Sequence, residues 1–445
     1  MTGMPVRLVT KVEEKDAMSI LDSIERQAGD NARTLNRGVH GDRPPVVILN
    51  MYYSGLGIAR ELAGKGVRVV GLSSERKIYG NFTRLCEVRQ APNSQDAPEQ
   101  LAEFLLRSKD DLAGAVIFPT RDADVIFLEH FRSELEPCYR LAIPPSECLR
   151  RTIDKYELAV AALGAGVPVP RTLRLTSAEQ LARVPIEVGF PCVVKPISSY
   201  QWRIGGAWQQ VGCRKAFRVD NAAMLRKEYD QIAKVAPQVL VQEWIAGGVD
   251  QIVVLGGYVG NSSELLAYFT ARKILQSPDE FGTGCVVQSE AVPAIVDPTR
   301  YLLHALKYKG LAEVEYKQDA LTGEYKLIEV NTRHWDQHEL GRAGGVNLTW
   351  VAYCDLTGKN PPQERGPIVP TKWIAEDALL LHVIRNIARA EWGSVTWRQT
   401  LIGPRIYGIF HSKDPLPFIR HFCFSLVPML AKMLLRSFRN GLRSH

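Results

Sequence analysis

The sequence predicts an alternating α/β domain followed by an α+β domain, and three patterns carry that expectation. Short β-branched apolar runs, Val46 to Leu49 and Val67 to Leu72, flank a helical pattern at Ile58 to Lys65, which is the start of a βαβ unit. Apolar runs at Ala115 to Phe118 and Arg140 to Ile143 then alternate with helical patterns at Pro98 to Ser108 and Asp124 to Glu134. Beyond the helical stretch Thr152 to Leu163 and the linker holding Pro168 and Pro170, strands crowd together: Pro191 to Lys195, Val239 to Glu243, Gln251 to Gly256, Leu265 to Arg272, Leu311 to Lys317 and Tyr325 to Asn331. At 445 residues the chain is long for one core, and ~100–200 residues per domain predicts two or three. The expected division is an extension over 1–44, an open parallel sheet over 45–150, the strand-rich unit over 151–362, and a helical region over 363–445 that ends in a basic amphipathic tail.

The first strand and helix are joined by Asn50-Met51-Tyr52-Tyr53-Ser54-Gly55-Leu56-Gly57. Glycines let backbone N–H groups approach an anion at a helix start, so this turn fits either a nucleotide-phosphate loop or a plain connection; its spacing is not G-x-G-x-x-G. Residues 1–44 are mixed and polar, with one short helical pattern at Met18 to Gln27. Within the strand-rich unit, helices fit Asn221 to Ala233, Pro298 to Lys307 and Asp336 to Gly344.

The net charge is +7, but residues 411–445 alone hold +5 of it, so the body is nearly neutral and lacks the basic stripe of a nucleic-acid binder. The eight cysteines are scattered without a C-x-x-C pair and read as reduced, mostly buried thiols. No run approaches the ~18 apolar residues of a membrane span, and the start lacks a signal-peptide pattern. A cytoplasmic protein is expected.

Chemistry concentrates in two runs, Ala312-Glu313-Val314-Glu315-Tyr316-Lys317 and Tyr325-Lys326-Leu327-Ile328-Glu329-Val330-Asn331, joined by the turn-like Asp319 to Glu324. A turn centred on Thr322 places Glu315 opposite Glu329. Alternation puts Glu329 and Asn331 on one face while Ile328 and Val330 point to the core. Facing carboxylates repel, or force one to take a proton, and a hard dication removes the conflict. Magnesium suits such oxygen ligands together with substrate phosphates; spacing alone also allows a solvated acidic face paired with Lys317 and Lys326. Two lysines suit phosphates: Lys155, and Lys195 at the end of the apolar run Cys192-Val193-Val194. The following segment, Ser198 to Arg214 with Ser198, Ser199, Gly205 and Gly206, fits a mobile lid whose amides close on phosphates or an ordinary hairpin connection.

Taken in order, Ile153-Asp154-Lys155, Val193 to Pro196 (VVKP), Val241 to Gly248 (VQEWIAGG), Glu313 to Lys317 (EVEYK) and Ile328 to Arg333 (IEVNTR) resemble the ATP-grasp superfamily over residues 46–362, most nearly its carboxylate-amine ligase branch. Gly341 to Leu348 and Asp355 to Gly358 look like the segment that follows the hairpin in that branch, which takes in proteins similar to the carbamoyl-phosphate synthase large chain and to D-aspartate ligases. The resemblance implies a Rossmann-like N-terminal domain, helping to form the acceptor site, followed by a two-subdomain ATP-grasp fold with ATP between the subdomains. It implies that Lys155 and Lys195 contact the phosphates, that Gln242, Glu243, Trp244 and Ile245 lie along the adenine edge, and that Asp250 meets the ribose. Arg272 and Lys273, ahead of the Gly282-Thr283-Gly284 loop, would add charge beside the transferred phosphoryl group, although a surface basic pair has the same pattern. Glu315, Glu329 and Asn331 would hold one or two Mg²⁺, with Mn²⁺ able to substitute, and Arg333 would stabilise an acyl phosphate and the tetrahedral oxyanion.

Two departures stand out. Thr332 replaces the usual proline of the hairpin's N-P-R ending, which removes rigidity but keeps Asn331 and Arg333 on their sides. His334 and His338 stand four apart, the spacing of a helical zinc pair, but the sequence shows no third ligand and the location favours substrate contacts.

The implied reaction is attack of a substrate carboxylate on the γ-phosphate, then of an amine on the acyl phosphate, releasing ADP and phosphate. No side-chain nucleophile is required, and the sequence has no G-x-S-x-G. A phosphotransferase on the same scaffold, and a nucleotide-binding regulatory protein without turnover, both stay open. Expected partners are small-molecule or lipid-linked carboxylates and amines of cell-envelope, polysaccharide or specialised-metabolite synthesis. The lipid-linked option comes from the tail: Lys432, Arg436, Arg439 and Arg443 line one helical face, and Leu430, Leu434, Phe438 and Leu442 another. Residues 423–445 thus fit peripheral contact with the inner face of an anionic membrane, or docking of the apolar face on the body.

Overall fold

A computed structural model describes residues 43–198, 200–203, 207–362, 369–388, 400 and 402–432. Met18 to Gln27 and nearly all of the 1–44 extension therefore lie outside the described residues, as do Ser199, Gly205, Gly206 and the tail from residue 433.

Strands β1 (Val46–Leu49), β2 (Val69–Ser73), β3 (Glu87–Gln90), β4 (Val116–Phe118) and β5 (Arg140–Leu141) form a sheet in the order β3-β2-β1-β4-β5, with every pair parallel. Helix α1 (Tyr53–Leu62) follows β1, and α2 (Pro98–Arg107) and α3 (Asp122–His130) follow β3 and β4. Since β1 is fully buried, its unbroken Val-Val-Ile-Leu run is what a strand covered on both faces requires. The strand order reverses between β1 and β4, so the chain leaves those two strands in opposite directions and opens a crevice at their C-terminal ends. Gly55 and Gly57 serve packing at this turn: a Cβ on Gly55 would lie 2.1 Å from the Asn50 carbonyl oxygen, and one on Gly57 would lie 2.7 Å from His338 Cε1.

Helices α4 (Ser146–Ile153) and α5 (Lys155–Gly164) lead to a four-stranded antiparallel sheet, β6 (Thr172–Leu175), β7 (Cys192–Lys195), β8 (Phe217–Val219) and β9 (Val239–Glu243), in the order β6-β9-β7-β8. The side chain of Asp154 caps α5 by accepting from the Tyr156 and Glu157 amides, which fixes Lys155 at the helix start. Helix α6 (Ala222–Ile232) buries Leu225, Tyr229 and Ile232 in the core of this sheet.

The remaining strands build one seven-stranded sheet: β10 (Ile252–Val259), β11 (Leu265–Ser277), β12 (Thr283–Ser289), β13 (Gly310–Gln318), β14 (Tyr325–Asn331), β15 (Lys372–Ile374) and β16 (Arg405–Tyr407), ordered β14-β13-β10-β11-β12-β15-β16. Helices α7 (Val296–Ala305), α8 (Glu339–Ala343), α9 (Leu348–Leu356), α10 (Glu376–Ala388) and α11 (Leu416–His421) accompany it. The region 363–445 was expected to be helical, and β15 and β16 correct that. The edge of β12 offers unpaired backbone, which β15 fills while burying Trp373, and β16 adds in parallel beyond it. Among the described residues no helix is long and apolar enough to cross a membrane. Five cysteines are buried, and Cys213 and Cys423 are exposed.

Candidate active site

Strands β13 and β14 pair as an antiparallel hairpin that sets Glu315 opposite Glu329 and Glu313 opposite Asn331. The turn side is one residue tighter than a loop centred on Thr322, since Tyr316 pairs with Leu327. A bulge at Ile328 restores the expected register at the carboxylates. Ile328 was expected in the core beside Val330. The extra residue re-aims it, so Ile328 lines the cavity while Val330 stays in the core.

Three carboxylates therefore share one face, and lysines answer two of them. Lys155 Nζ lies 2.6 Å from Glu329 Oε2, and Lys273 Nζ lies 2.6 Å from Glu315 Oε2. Asn331 Nδ2 donates to Glu313 Oε2 at 2.9 Å and to Glu329 Oε1 at 3.4 Å. The ammonium of Lys155 holds the Glu329 carboxyl well below the usual carboxylate range. Burial, with Glu315 beside it, pushes Glu313 up to about 8, and burial with Lys155 nearby pushes Lys195 down to about 7. Such a face pairs two carboxylates with lysines and crowds a third enough to hold its proton near neutral pH, and its carboxyl and amide oxygens are the donor set of a hard dication.

These groups line a cavity of about 550 Å³ between the four-stranded and seven-stranded sheets. Its other wall carries Gln242, Glu243, Trp244 and Ile245 at the end of β9. Gln242 Nε2 donates to Thr172 Oγ1 at 2.8 Å, and the Glu243 carboxylate takes Lys326 Nζ at 3.2 Å and the Arg171 amide at 3.1 Å. Cations flank the Trp244 ring, Arg218 at 4.7 Å and Lys317 at 5.0 Å, and Lys317 Nζ also donates to the Ile245 carbonyl at 2.9 Å. The Glu243 and Trp244 amides are already bonded to the Arg171 and Pro191 carbonyls. From the segment after β7, Trp208 lines the cavity and Trp202 packs into the small sheet's core, so the described part of this connection is a wall with two short helical turns. Lys215 Nζ reaches the Gly282–Gly284 loop, donating to Thr283 Oγ1 at 3.0 Å.

Arg333 closes the far end. Its Nε donates to Asp122 Oδ1 at 2.7 Å, joining the hairpin to the first turn of α3 at the crevice of the parallel sheet. Burial works against the Arg333 charge, but Asp122 outweighs it and raises the guanidinium further, while Asp122 is held low in return. Asp336 stands close by, accepting from Ser54 Oγ at 2.9 Å, and burial raises its carboxyl.

Two of the expected contacts fall elsewhere. Arg272 turns its guanidinium to both oxygens of Glu290, at 2.9 and 3.0 Å, and to the Asp250 carbonyl at 2.7 Å. Neither Arg272 nor Asp250 lines the cavity. Neighbouring side chains on a strand leave opposite faces, so only Lys273 of the basic pair can reach the site. The two histidines also differ from expectation: His334 and His338 lie in a turn, fully buried and off the cavity wall, so they make no substrate contact. Sequence reasoning missed Glu313, Lys317, Asp122 and Asp336. Glu313 and Lys317 sit two residues from Glu315, and alternation would have found both.

No family model matches the sequence. Over 306 residues the chain is 26% identical to the D-aspartate ligase of Enterococcus faecium, covering 65% of this chain and 70% of that protein. It is 29% identical over 184 residues to the D-alanine–D-alanine ligase of Ectopseudomonas mendocina, but spans only 55% of that relative's length. Among solved structures, N5-carboxyaminoimidazole synthetase from Staphylococcus aureus matches with a TM-score of 0.59 at 12% identity, covering 78% of this chain and 86% of that one. L-amino acid ligase from Bacillus licheniformis matches at 0.57 and 15% identity, covering 74% and 79%. In sequence the chain is thus similar to D-aspartate and D-alanine–D-alanine ligases, and in fold to N5-carboxyaminoimidazole synthetase and L-amino acid ligase.

Proposed function

We propose that this chain is an ATP-dependent ligase that activates a substrate carboxylate as an acyl phosphate and joins it to an amine. One observation carries the proposal: Glu315 and Glu329 face each other in register, each countered by a lysine that a polyphosphate would recruit. Glu315, Glu329 and Asn331 would hold one or two Mg²⁺, and Glu313 joins them as a fourth oxygen donor whose raised carboxyl favours a cation nearby. A bound dication supplies charge compensation for the transferred phosphoryl group. Released from the carboxylates, Lys155 and Lys273 can turn to phosphate oxygens. Lys195, buried and weakly charged, takes up a proton as it meets them. The adenine lies along Gln242 to Ile245, with the Trp244 carbonyl and Ile245 N–H, which have no backbone partner among the described residues, to recognise its edge. Arg333, fixed by Asp122, stabilises negative charge on the acyl group as the amine attacks.

Residues 45–150 are proposed as a Rossmann-like domain that contributes Asp122 to the acceptor end, and 151–362 as the ATP-binding unit with its two subdomains. A peripheral membrane contact through residues 423–445, serving a lipid-linked acceptor, draws support from exposed Phe424 and Val427 preceding Lys432. The test is hydroxylamine trapping with ATP, Mg²⁺ and a panel of amino acids and envelope precursors. Hydroxamate and ADP in equal amounts are expected; ADP with a stable phosphorylated product and no hydroxamate would mean a phosphotransferase.

A further inference from the structure

The fully buried Glu61, His334 and His338 form a cluster that the ligase chemistry does not use. Glu61 comes from α1 of the parallel-sheet domain, and the histidines come from the turn after the carboxylate hairpin. One ligand atom from each residue lies within 4.8 Å of the other two.

Hydrogen bonds fix the state of His338. Its Nδ1 stands 2.7 Å from the Trp335 carbonyl, which can only accept, so Nδ1 carries the proton and Nε2 holds a lone pair. That Nε2 faces Glu61 Oε2 at 3.6 Å and has no hydrogen-bond partner among the described residues; neither has Glu61 Oε1. The His338 lone pair thus confronts a carboxyl that burial pushes well above the usual carboxylate range, in a site closed to solvent and at a distance too long for a hydrogen bond. Ligands about 2.0–2.2 Å from a tetrahedral ion stand roughly 3.3–3.6 Å apart, so the same separation suits a shared cation. His334 is held by Thr349, whose Oγ1 lies 2.7 Å from Nε2 and whose hydroxyl also donates to Glu61. A ring nitrogen anchored on a carbonyl or hydroxyl is the outer support that metal-bound histidines usually have. Burial keeps both imidazoles neutral, as ligands must be.

We infer that Glu61, His334 and His338 bind a structural transition-metal ion, with zinc the best fit. Two imidazoles and one carboxylate select zinc or a similar ion over magnesium or calcium. The ion would tie α1 to the turn that begins one residue after Arg333, fixing the parallel-sheet domain against the acceptor end of the cavity. Gly57, one helical turn before Glu61, permits the close approach, because any side chain there would strike His338.

The test uses the full chain, purified, loaded with zinc and gel-filtered in excess Mg²⁺ so that the carboxylate hairpin is not counted. One zinc per chain is expected by elemental analysis, together with a zinc-dependent rise in Tm. Both should be lost in Glu61→Gln and in His338→Gln. X-ray absorption on the wild-type protein covers the case in which those variants fail to fold: nitrogen and oxygen neighbours with outer-shell scattering from two imidazoles are expected. No zinc above background, zinc retained equally in both variants, or a sulfur shell would overturn the inference.

Discussion

The two ends of the cavity are assembled differently. At the hairpin end, Glu313, Glu315, Glu329 and Asn331 come from adjacent strands joined by six residues, and their convergence follows from alternation and register alone. At the other end, proposed above to take the acceptor, Asp122, Lys215 and Asp336 arrive from the helix after β4, the segment before β8 and the turn after β14. The carboxylates proposed to hold the metal are thus local in sequence, while the groups at the other end, like Lys155 and Lys273 that pair with those carboxylates, are brought together only by the fold.

Glu329→Gln should give the largest effect, because it removes one carboxylate and leaves Lys155 buried without its partner. A loss of several kcal/mol of charge stabilisation predicts turnover down by about 10²–10³-fold in an ADP-release assay. A fall of less than tenfold would break the assignment of the hairpin to metal and nucleotide.

Asp336→Asn sharpens the contrast between the two ends. Loss of a charged hydrogen bond, worth about 1.5–3 kcal/mol, should raise KM for one substrate roughly 10- to 100-fold while KM for ATP stays unchanged. A rise in KM for ATP instead would move Asp336 to the nucleotide end.

Lys195 supplies a pH signature. Its ammonium is depressed to about 7 in the free protein, and phosphate favours the charged form, so above pH 7 nucleotide binding must bring in a proton. With divalent metal left out, so that Glu313 keeps its proton, affinity for ATP should weaken on the order of tenfold per unit above pH 7, and calorimetry at pH 8 in buffers of different ionisation enthalpy should report proton uptake. Proton release, or none, would contradict that role. The smallest effect belongs to Arg272→Ala: turnover unchanged, and at most ~1 kcal/mol of stability lost in denaturant unfolding, since the pair with Glu290 is partly exposed.

Particular residues show what the sequence made legible. The facing of Glu315 and Glu329 was readable because a turn sets register over a short distance, although the tighter turn and the Ile328 bulge compensate each other in a way no pattern announces. Lys155 and Lys195 were readable from the motifs around them. Arg272 was misplaced because a motif names a neighbourhood and not a strand face. Asp122 was invisible, since its partner Arg333 lies 211 residues away and neither residue shows which element it will meet. Glu61 was hidden similarly, 277 residues before His338.

Manganese binding in the presence of a non-hydrolysable ATP analogue, followed by electron paramagnetic resonance, tests the central claim most directly. Wild type should hold one or two Mn²⁺ only when nucleotide is bound, and Glu315→Gln/Glu329→Gln should bind the nucleotide but lose the bound-metal signal. An unchanged Mn²⁺ signal in the double variant would contradict the account.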